Sequence, residues 1–274
     1  MEEGRATILP GVPNALLARV VENAGFPAIF LSGAGISNWE LGLADYGLVT
    51  LTELREVTAR VVSAVQIPVL VDADTGFGGP LNVRRTVMEL ERAGAAGITL
   101  EDQVFPKRCG HFAGKEVIPA EEMVQKIRAA VDARTDPDLV IVARTDAIAV
   151  EGLDAAIERA HRYREAGADA TFIEAPPDVE ALRRIGALPW PQVANMVEGG
   201  KTPILQQREL AALGFSLVLY ANAIPRAALK AAAEAALSLA RQGSSADIPM
   251  VSWEERQRLV RLPELQELEQ RYKS

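Results

Sequence analysis

Residues 69–80 read VLVDADTGFGGP, and this stretch decides the fold because it contains the repeating unit of the chain. Its apolar beginning is typical of a strand that is buried on both faces, and the strand ends in two aspartates. A glycine-rich turn follows, and Pro80 suits the first turn of a helix that we predict as far as Ala93. The stretch therefore predicts a strand, a turn and a helix, with carboxylates at the end of the strand.

The same unit recurs along the whole sequence. Eight short apolar segments, each followed by a helical pattern, are predicted as strands at residues 7–11, 28–32, 69–74, 97–101, 139–144, 170–174, 192–195 and 216–220. Strands of this kind form parallel sheets that helices cover. Eight units in one chain predict a closed (β/α)8 TIM barrel, with a doubly wound open sheet as the alternative.

A second region follows the barrel. We predict a barrel domain over residues 1–241 and a C-terminal helical extension over residues 242–274. Residues 242–247, QGSSAD, have the composition of a hinge. Residues 253–272 are predicted as one charged amphipathic helix, which we expect to dock on a neighbouring subunit of an oligomer.

The composition restricts the class of protein. The 274 residues carry a net charge of −8, which argues against nucleic acid or an anionic membrane as a partner. The single cysteine cannot form an internal disulfide, and no apolar run is long enough to span a membrane. We expect a cytoplasmic globular protein.

Carboxylates stand at the ends of two neighbouring predicted strands. Asp72 and Asp74 are two residues apart, so side chains on a strand would point the same way, and Glu101 ends the next strand. This all-oxygen set suits Mg²⁺ or Mn²⁺ better than zinc. The alternative is that these carboxylates cap the following helices or pair with Arg144.

Other strand ends carry groups that suit an organic acid. Arg144 offers a planar fork that matches a carboxylate, and its alternative partners within the chain are Asp146 and Glu174. Elsewhere, we expect Thr52 to cap the start of a helix, His161 to be solvated and Tyr163 to be half-buried.

The motif KRCGH, residues 107–111, contains the only cysteine and one of two histidines. A thiol among basic side chains is in an electropositive setting that makes a cysteine reactive. The alternative is that Cys109 is a small buried hydrophobic residue, as many free cysteines are.

Together these motifs resemble those of the isocitrate lyase / phosphoenolpyruvate mutase superfamily. The resemblance covers most of residues 5–240, and its segments are FLSG 30–33, DADTGFG 72–78, LEDQ 100–103, KRCGH 107–111, VARTD 142–146 and NMVEGG 195–200. The cysteine motif is similar to that of the superfamily's carbon–carbon lyases, which include methylisocitrate lyase and 2,3-dimethylmalate lyase.

The resemblance implies a (β/α)8 barrel, a homotetramer whose subunits exchange the eighth helix, and Mg²⁺ at Asp72 with Asp74 and Glu101 in the wider shell. It places Asp45 near the metal, and residues 103–119 in a gating loop. The residues that it implies for substrate binding or catalysis are Ser32, Gly33, Lys107, Gly110, His111, Arg144, Glu174 and Asn195. Phe30 and Ala34 lie in the same site but depart from the pattern, since a tyrosine and a glycine are common there.

The resemblance implies a Mg²⁺-dependent lyase that cleaves a 2-substituted malate or methylisocitrate-type acid into a 2-oxo acid and a carboxylate. Asp45, Glu174 or a water would take the hydroxyl proton, since Phe30 lacks a phenol, and Cys109 would protonate the enolate carbon. The alternatives are oxaloacetate hydrolysis, a carboxyphosphonoenolpyruvate mutase activity and a non-catalytic binding protein on a barrel scaffold.

Overall fold

A computed structural model describes residues 6–108, 110 and 114–273 of the chain. In this described part, eight parallel strands close into a barrel in chain order, β1 to β8, and β8 pairs with β1. The strands are β1 Thr7–Val12, β2 Ile29–Leu31, β3 Val69–Asp72, β4 Gly97–Glu101, β5 Val140–Thr145, β6 Ala170–Ile173, β7 Gln192–Asn195 and β8 Leu217–Tyr220. The predicted TIM barrel is confirmed, and the open-sheet alternative is wrong.

Helices follow the strands along the chain. They are α1 Ala15–Asn23, α2 Gly33–Trp39, α3 Leu51–Ala64, α4 Pro80–Arg92, α5 Ala120–Ala133, α6 Ile148–Glu151, α7 Leu153–Glu165, α8 Val179–Gly186, α9 Gln207–Leu213, α10 Ala223–Gln242, α11 Trp253–Leu259 and α12 Leu262–Lys273. Within the described residues, no helix is both long enough and apolar enough to cross a membrane.

The helix ends correct two predictions about local structure. Thr50 caps α3, so the prediction of Thr52 as the cap is wrong. Thr50 forms a capping box in which Glu53 accepts its backbone N–H at 2.8 Å. The single helix predicted over residues 253–272 is broken between α11 and α12, where Arg261 has a positive φ of 58°. A left-handed residue cannot continue a right-handed helix, so the segment divides there.

The barrel interior and the helix–strand layer are both apolar. Phe30, Phe172 and Leu219 belong to the cluster that fills the inside of the barrel, and all three are nearly fully buried. A second, larger cluster includes buried side chains of β2–β5 and of the helices α1 and α3–α5. This packing gives the strand ends a rigid base, so side chains at their carboxyl ends are held in defined positions.

The chain separates into two compact units, Met1–Ile224 and Pro225–Ser274. This division lies within α10, whereas the predicted boundary at residues 241 and 242 coincides with the end of that helix. Apart from Pro225, residues 225–273 have no buried side chain, and many of their leucines are exposed. The assignment of residues 242–274 as a separate extension stays a prediction.

Candidate active site

A pocket opens among the carboxyl ends of the barrel strands, the position at which TIM-barrel enzymes carry their active sites. Its empty volume is about 460 Å³. The described residues that line it come from β2 to β8 or from the segments that follow these seven strands: Phe30, Ser32, Ala34, Asp45, Asp72, Lys107, Gly110, Arg144, Phe172, Glu174, Asn195, Val197, Leu219, Ala221 and Asn222.

Asp72 and Asp74 converge on one side of this pocket. The two oxygens of Asp72 accept the backbone N–H groups of Gly33 and Asp74, each at 3.2 Å. A Cβ at Gly33 would stand 3.0 Å from Asp74 Oδ1 and 3.2 Å from Asp72 Oδ2, so a side chain there would crowd both carboxylates. Asp74 lies beyond the end of β3 with a φ of 47°, and this bend brings it beside Asp72 despite the end of the strand.

Lys107 compensates the charge of this acidic side. Its Nζ lies 2.5 Å from Asp45 Oδ1 and 2.9 Å from Asp74 Oδ1. Burial raises the pKa of Asp74 to about 6, although the Lys107 charge works in the opposite direction. Burial by itself would lower the pKa of Lys107, but the surrounding carboxylates raise it well above its ordinary value, so Lys107 is an ammonium ion.

The acidic residues also fit a divalent cation. No group of three or more His, Cys, Asp or Glu side chains among the described residues is arranged as a ready metal site. However, Glu101 Oε1 is buried and receives no hydrogen bond, although buried oxygens normally have partners, and Asp74 Oδ1 is paired with Lys107. Burial raises the pKa of Glu101 well above its usual range, although the nearby charge of Arg144 works in the opposite direction. The donor set of Asp72, Asp74 and Glu101 is entirely oxygen, as Mg²⁺ requires.

Arg144 is the cation at the other side of the pocket. Its Nε and Nη2 donate to the two oxygens of Asp146 at 2.9 and 3.1 Å. The same guanidinium lies 3.3 Å from Glu101 Oε2 and 3.6 Å from Glu174 Oε2, and it stacks 5.1 Å above the centre of the Phe172 ring. Both internal partners expected from the sequence therefore contact Arg144, and its planar head is held in one orientation.

Glu174 is held by its neighbours at the ends of β6 and β7. Asn195 Nδ2 donates to both of its oxygens, at 3.2 and 3.4 Å, and the Glu174 side chain is almost fully buried. The Asn195 Oδ1 atom is buried and receives no hydrogen bond. This pair offers a carboxylate and an unused acceptor beside Arg144.

The segment after β2 forms the short helix α2. Ser32 caps α2 by accepting the Gly35 N–H at 3.2 Å, so its hydroxyl is partly engaged. Phe30 lines the pocket from the barrel interior, with no polar atom in its side chain to accept a proton. Ala34 lines the same wall.

Several polar residues beneath the site had no recognised role in the sequence. Tyr163, expected to be half-buried, has no exposed surface, and its hydroxyl donates to Asp102 Oδ2 at 2.7 Å. The Asp102 carboxylate also accepts from the Thr145 hydroxyl at 2.7 Å and from the Asp146 N–H at 3.0 Å. Arg159 completes this network at 3.2 Å from Asp102 Oδ2. The position of Asp102 directly after Glu101 at a strand end was the only signal in the sequence.

Other predictions have separate outcomes. His161 is partly buried rather than solvated, because its ring lies edge-on to Trp190 with 4.8 Å between centroids. The predicted roles of Cys109 and His111 fall on residues outside those that the structure describes. For the other predicted site residues, the structure supplies positions in or beside one pocket, and their roles stay predictions.

Comparison with known proteins shows which family the chain resembles. The family model described as phosphoenolpyruvate phosphomutase matches residues 1–240. The chain is 45% identical to the 2,3-dimethylmalate lyase of Eubacterium barkeri over 98% of this chain and 94% of that protein. Among solved structures, an oxaloacetate acetylhydrolase in complex with the inhibitor 3,3-difluorooxalacetate has a TM-score of 0.95 and 32% identity, covering 99% of this chain and 93% of that one. A phosphonopyruvate hydrolase in complex with oxalate and Mg²⁺ has a TM-score of 0.87 and 33% identity, covering 99% and 95%.

Proposed function

Because this chain belongs to the phosphoenolpyruvate mutase/isocitrate lyase superfamily and is a carbon–carbon lyase within it, we propose that it cleaves a 2-substituted malate or a methylisocitrate-type 2-hydroxy acid. The products are a 2-oxo acid and a carboxylate. The observation that carries this proposal is a pocket that has an acidic side next to a guanidinium. The acidic side, with Asp72 in the lining and Asp74 and Glu101 beside it, suits a cation. Arg144, which also lines the pocket and lies 3.3 Å from Glu101 Oε2, suits a carboxylate.

The acidic side would bind Mg²⁺, or Mn²⁺, at Asp72, with Asp74 and Glu101 in the wider shell. A divalent cation at this place supplies Lewis-acid stabilisation of a hydroxyl and its neighbouring carboxylate. Support comes from the buried Glu101 Oε1, which receives no hydrogen bond, and from the Mg²⁺ and oxalate that the related phosphonopyruvate hydrolase binds.

The side chains of the pocket divide the remaining tasks. Arg144 binds a substrate carboxylate, and its orientation by Asp146 favours a two-point contact. Asp45 or Glu174, both in the pocket lining, accepts the hydroxyl proton, since Phe30 cannot. The hydroxyl oxygen becomes the carbonyl of the 2-oxo acid as the C2–C3 bond breaks, and the bonding pair stays on C3 as an enolate. Cys109 donates its thiol proton to C3.

The pocket wall suits an alkyl substituent. The pocket lining also contains apolar side chains beside the charged groups, namely Phe30, Phe172, Val197, Leu219 and Ala221. A methyl or ethyl group that packs on such a wall gains about 0.8 kcal/mol for each buried methylene. This contact supports a 2-alkylmalate as the substrate.

The test is a panel of 2-alkylmalates, 2,3-dimethylmalate, methylisocitrate, isocitrate and oxaloacetate, assayed with Mg²⁺ for release of a 2-oxo acid or oxalate. We expect at least one 2-hydroxy acid to be cleaved, with activity abolished by EDTA and restored by added Mg²⁺. If no acid in the panel yields a 2-oxo acid, the proposed lyase reaction is wrong.

Oxaloacetate hydrolysis to oxalate and acetate is the second candidate. Similarity to the oxaloacetate acetylhydrolase, over 99% of this chain, favours it, and the same charged groups could bind oxaloacetate. The panel separates the two reactions, because only the hydrolase releases oxalate. A carboxyphosphonoenolpyruvate mutase activity is less favoured because it gives Cys109 no task, and a non-catalytic protein is excluded by the membership of the chain among lyases.

Metal binding can be tested without turnover. We expect Mg²⁺ with oxalate to raise the melting temperature of the wild type by about 5 °C at saturating concentrations. Asp72→Asn should remove this shift, because it replaces a charged ligand by a neutral side chain of the same shape. Asp169→Asn, which changes an ion pair with Arg134 outside the pocket, should keep the shift. Retention of the full shift in Asp72→Asn would contradict the assignment of the metal site.

The resemblance also underlies two broader proposals. We propose that the chain forms a homotetramer with exchanged helices, and the support is the set of exposed apolar side chains in the unit Pro225–Ser274, such as Leu229, Leu237, Trp253 and Leu265. We propose a cytoplasmic location on the basis of the acidic charge and the single cysteine.

A further inference from the structure

Lys115 is a buried lysine with no role in the proposed reaction. Its side chain is 1% exposed, and its Nζ donates to the Gly110 carbonyl at 2.5 Å and to Asp146 Oδ1 at 2.7 Å. One acceptor belongs to the segment after β4, and the other lies directly after β5. Lys115 therefore connects the segment after β4, which lines the pocket through Lys107 and Gly110, with Asp146, which lies two residues after Arg144.

The Asp146 carboxylate is shared between Lys115 and Arg144. Arg144 contacts both oxygens, while Lys115 contacts Oδ1. Burial raises the pKa of Asp146, but the charges of Arg144 and Lys115 outweigh burial and lower it to about 2. Asp146 thus remains charged, and its position depends on both cations and on the hydrogen bond from its N–H to Asp102 at 3.0 Å.

Gly110 lies against the same group of residues. A Cβ added at Gly110 would stand 2.4 Å from Arg144 Nη2 and 2.8 Å from Glu174 Cγ, which is closer than side chains approach one another. The main chain at Gly110 is therefore packed directly on two residues of the pocket. The Lys115 ammonium is bound to the carbonyl of this same residue.

Stability alone does not account for such an arrangement. A buried ion pair is weak evidence for stability, since the cost of removing two charges from water offsets most of their attraction. A methionine of similar length could fill the same space. Unlike a methionine, the Lys115 ammonium donates to two acceptors. It thereby links the carbonyl of Gly110, the residue after Cys109, to Asp146, the carboxylate that orients Arg144.

We propose that Lys115 is a positioning residue of the lyase site, which holds Gly110 against Arg144 and Glu174 and fixes Asp146 for its contact with Arg144. The expected effect of Lys115 on kcat rests on the proposed function. The placement of Gly110 and Asp146 by Lys115 does not depend on the reaction.

The test compares Lys115→Met with Lys115→Arg and with a matched control. Arg134 contacts the Asp169 carboxylate at 2.6 Å and the Leu139 carbonyl at 3.0 Å. Both partners lie just before β6 and β5, at the amino ends of these strands, whereas the pocket lies at the carboxyl ends. Arg134→Met thus removes a cation with the same kinds of partners, away from the pocket. All variants are examined as the full-length protein, with the melting temperature of each recorded.

Two measurements report the role. We expect Lys115→Met to lower kcat by about 10- to 100-fold, the effect typical of removing a group that orients a site residue, with a smaller change in KM. We also expect iodoacetamide to alkylate the protein several-fold faster, because the only thiol in the sequence is bonded in the chain to Gly110. Lys115→Arg should restore both values most of the way, and Arg134→Met should leave both near wild type.

Two results would overturn the inference. One is an alkylation rate in Lys115→Met equal to that of the wild type. The other is an Arg134→Met variant that reproduces both changes, since this would make them consequences of general destabilisation. Alkylation needs no turnover. If the wild type cleaves no acid, the proposed function is contradicted, and the alkylation rates still decide whether Lys115 positions Gly110.

Discussion

Arg144→Lys is expected to lower kcat/KM for the best substrate by about 10³-fold, because it disrupts a buried, hydrogen-bonded charge pair and its contact with the substrate. Lysine keeps the positive charge but has no planar fork, so it cannot contact both oxygens of Asp146 and bind a substrate carboxylate at two points. It also loses the stacking on Phe172. The measurement is steady-state kinetics with Mg²⁺ on the best acid of the panel.

The control for this prediction is the same substitution at an exposed arginine. Arg162 pairs with Glu121 at 2.7 Å, with 37% and 65% of the two side chains exposed, so Arg162→Lys should leave kcat/KM unchanged. Circular dichroism and melting temperature verify that Arg144→Lys is folded. A folded Arg144→Lys variant with kcat/KM within threefold of wild type, about 0.6 kcal/mol, would show that Arg144 does not bind the reacting acid.

Cys109→Ala is expected to lower kcat by about 10²- to 10⁴-fold, the range that a general acid contributes. Alanine cannot donate a proton to the enolate carbon, so the reaction would have to recruit a proton from water. Binding should survive, because the thiol is not among the groups assigned to the cation or to the substrate carboxylates. Kinetics and the thermal shift with Mg²⁺ and oxalate check the two halves of this prediction.

Cys109→Ser separates proton donation from size. Serine is close to cysteine in volume, but its hydroxyl is far less acidic than a thiol, so it should be nearly as inactive as alanine. Wild-type turnover by Cys109→Ala would contradict the general-acid role and leave the fold and the metal site unaffected. Loss of the thermal shift in Cys109→Ala would instead place the thiol among the binding groups.

The barrel was predictable because its signal is local and repeated. Each unit, like residues 69–80, carries an apolar run followed by a helical pattern, and these features depend on near neighbours in the chain. Parallel strands all end at one rim, so Asp72, Glu101, Arg144 and Glu174 could be assigned to one site from their places at strand ends. The N-cap of α3 was predicted wrongly because two nearby threonines can both cap a helix, and Thr50 does so instead of Thr52.

Asp146 and Glu174 were expected as partners of Arg144, but other contacts of the site were not predictable. Lys107 lies 62 positions from Asp45, and Tyr163 lies 61 positions from Asp102, yet both pairs are in hydrogen-bond contact. Nothing in the local sequence of either residue specifies the other. Such pairs arise only when barrel closure brings helix α7 and the loops beside particular strand ends.

The sequence by itself determined the order of the strands, the rim that carries the polar groups and the chemical types assembled there, because periodicity and strand position are properties of the chain. The tertiary structure decided which charge neutralises which. It placed Lys107 between Asp45 and Asp74, Arg144 among Asp146, Glu101 and Glu174, and Lys115 between Gly110 and Asp146. The physical reason is that buried charges must find partners at short range, and the distances between residues far apart in the chain exist only in the closed barrel.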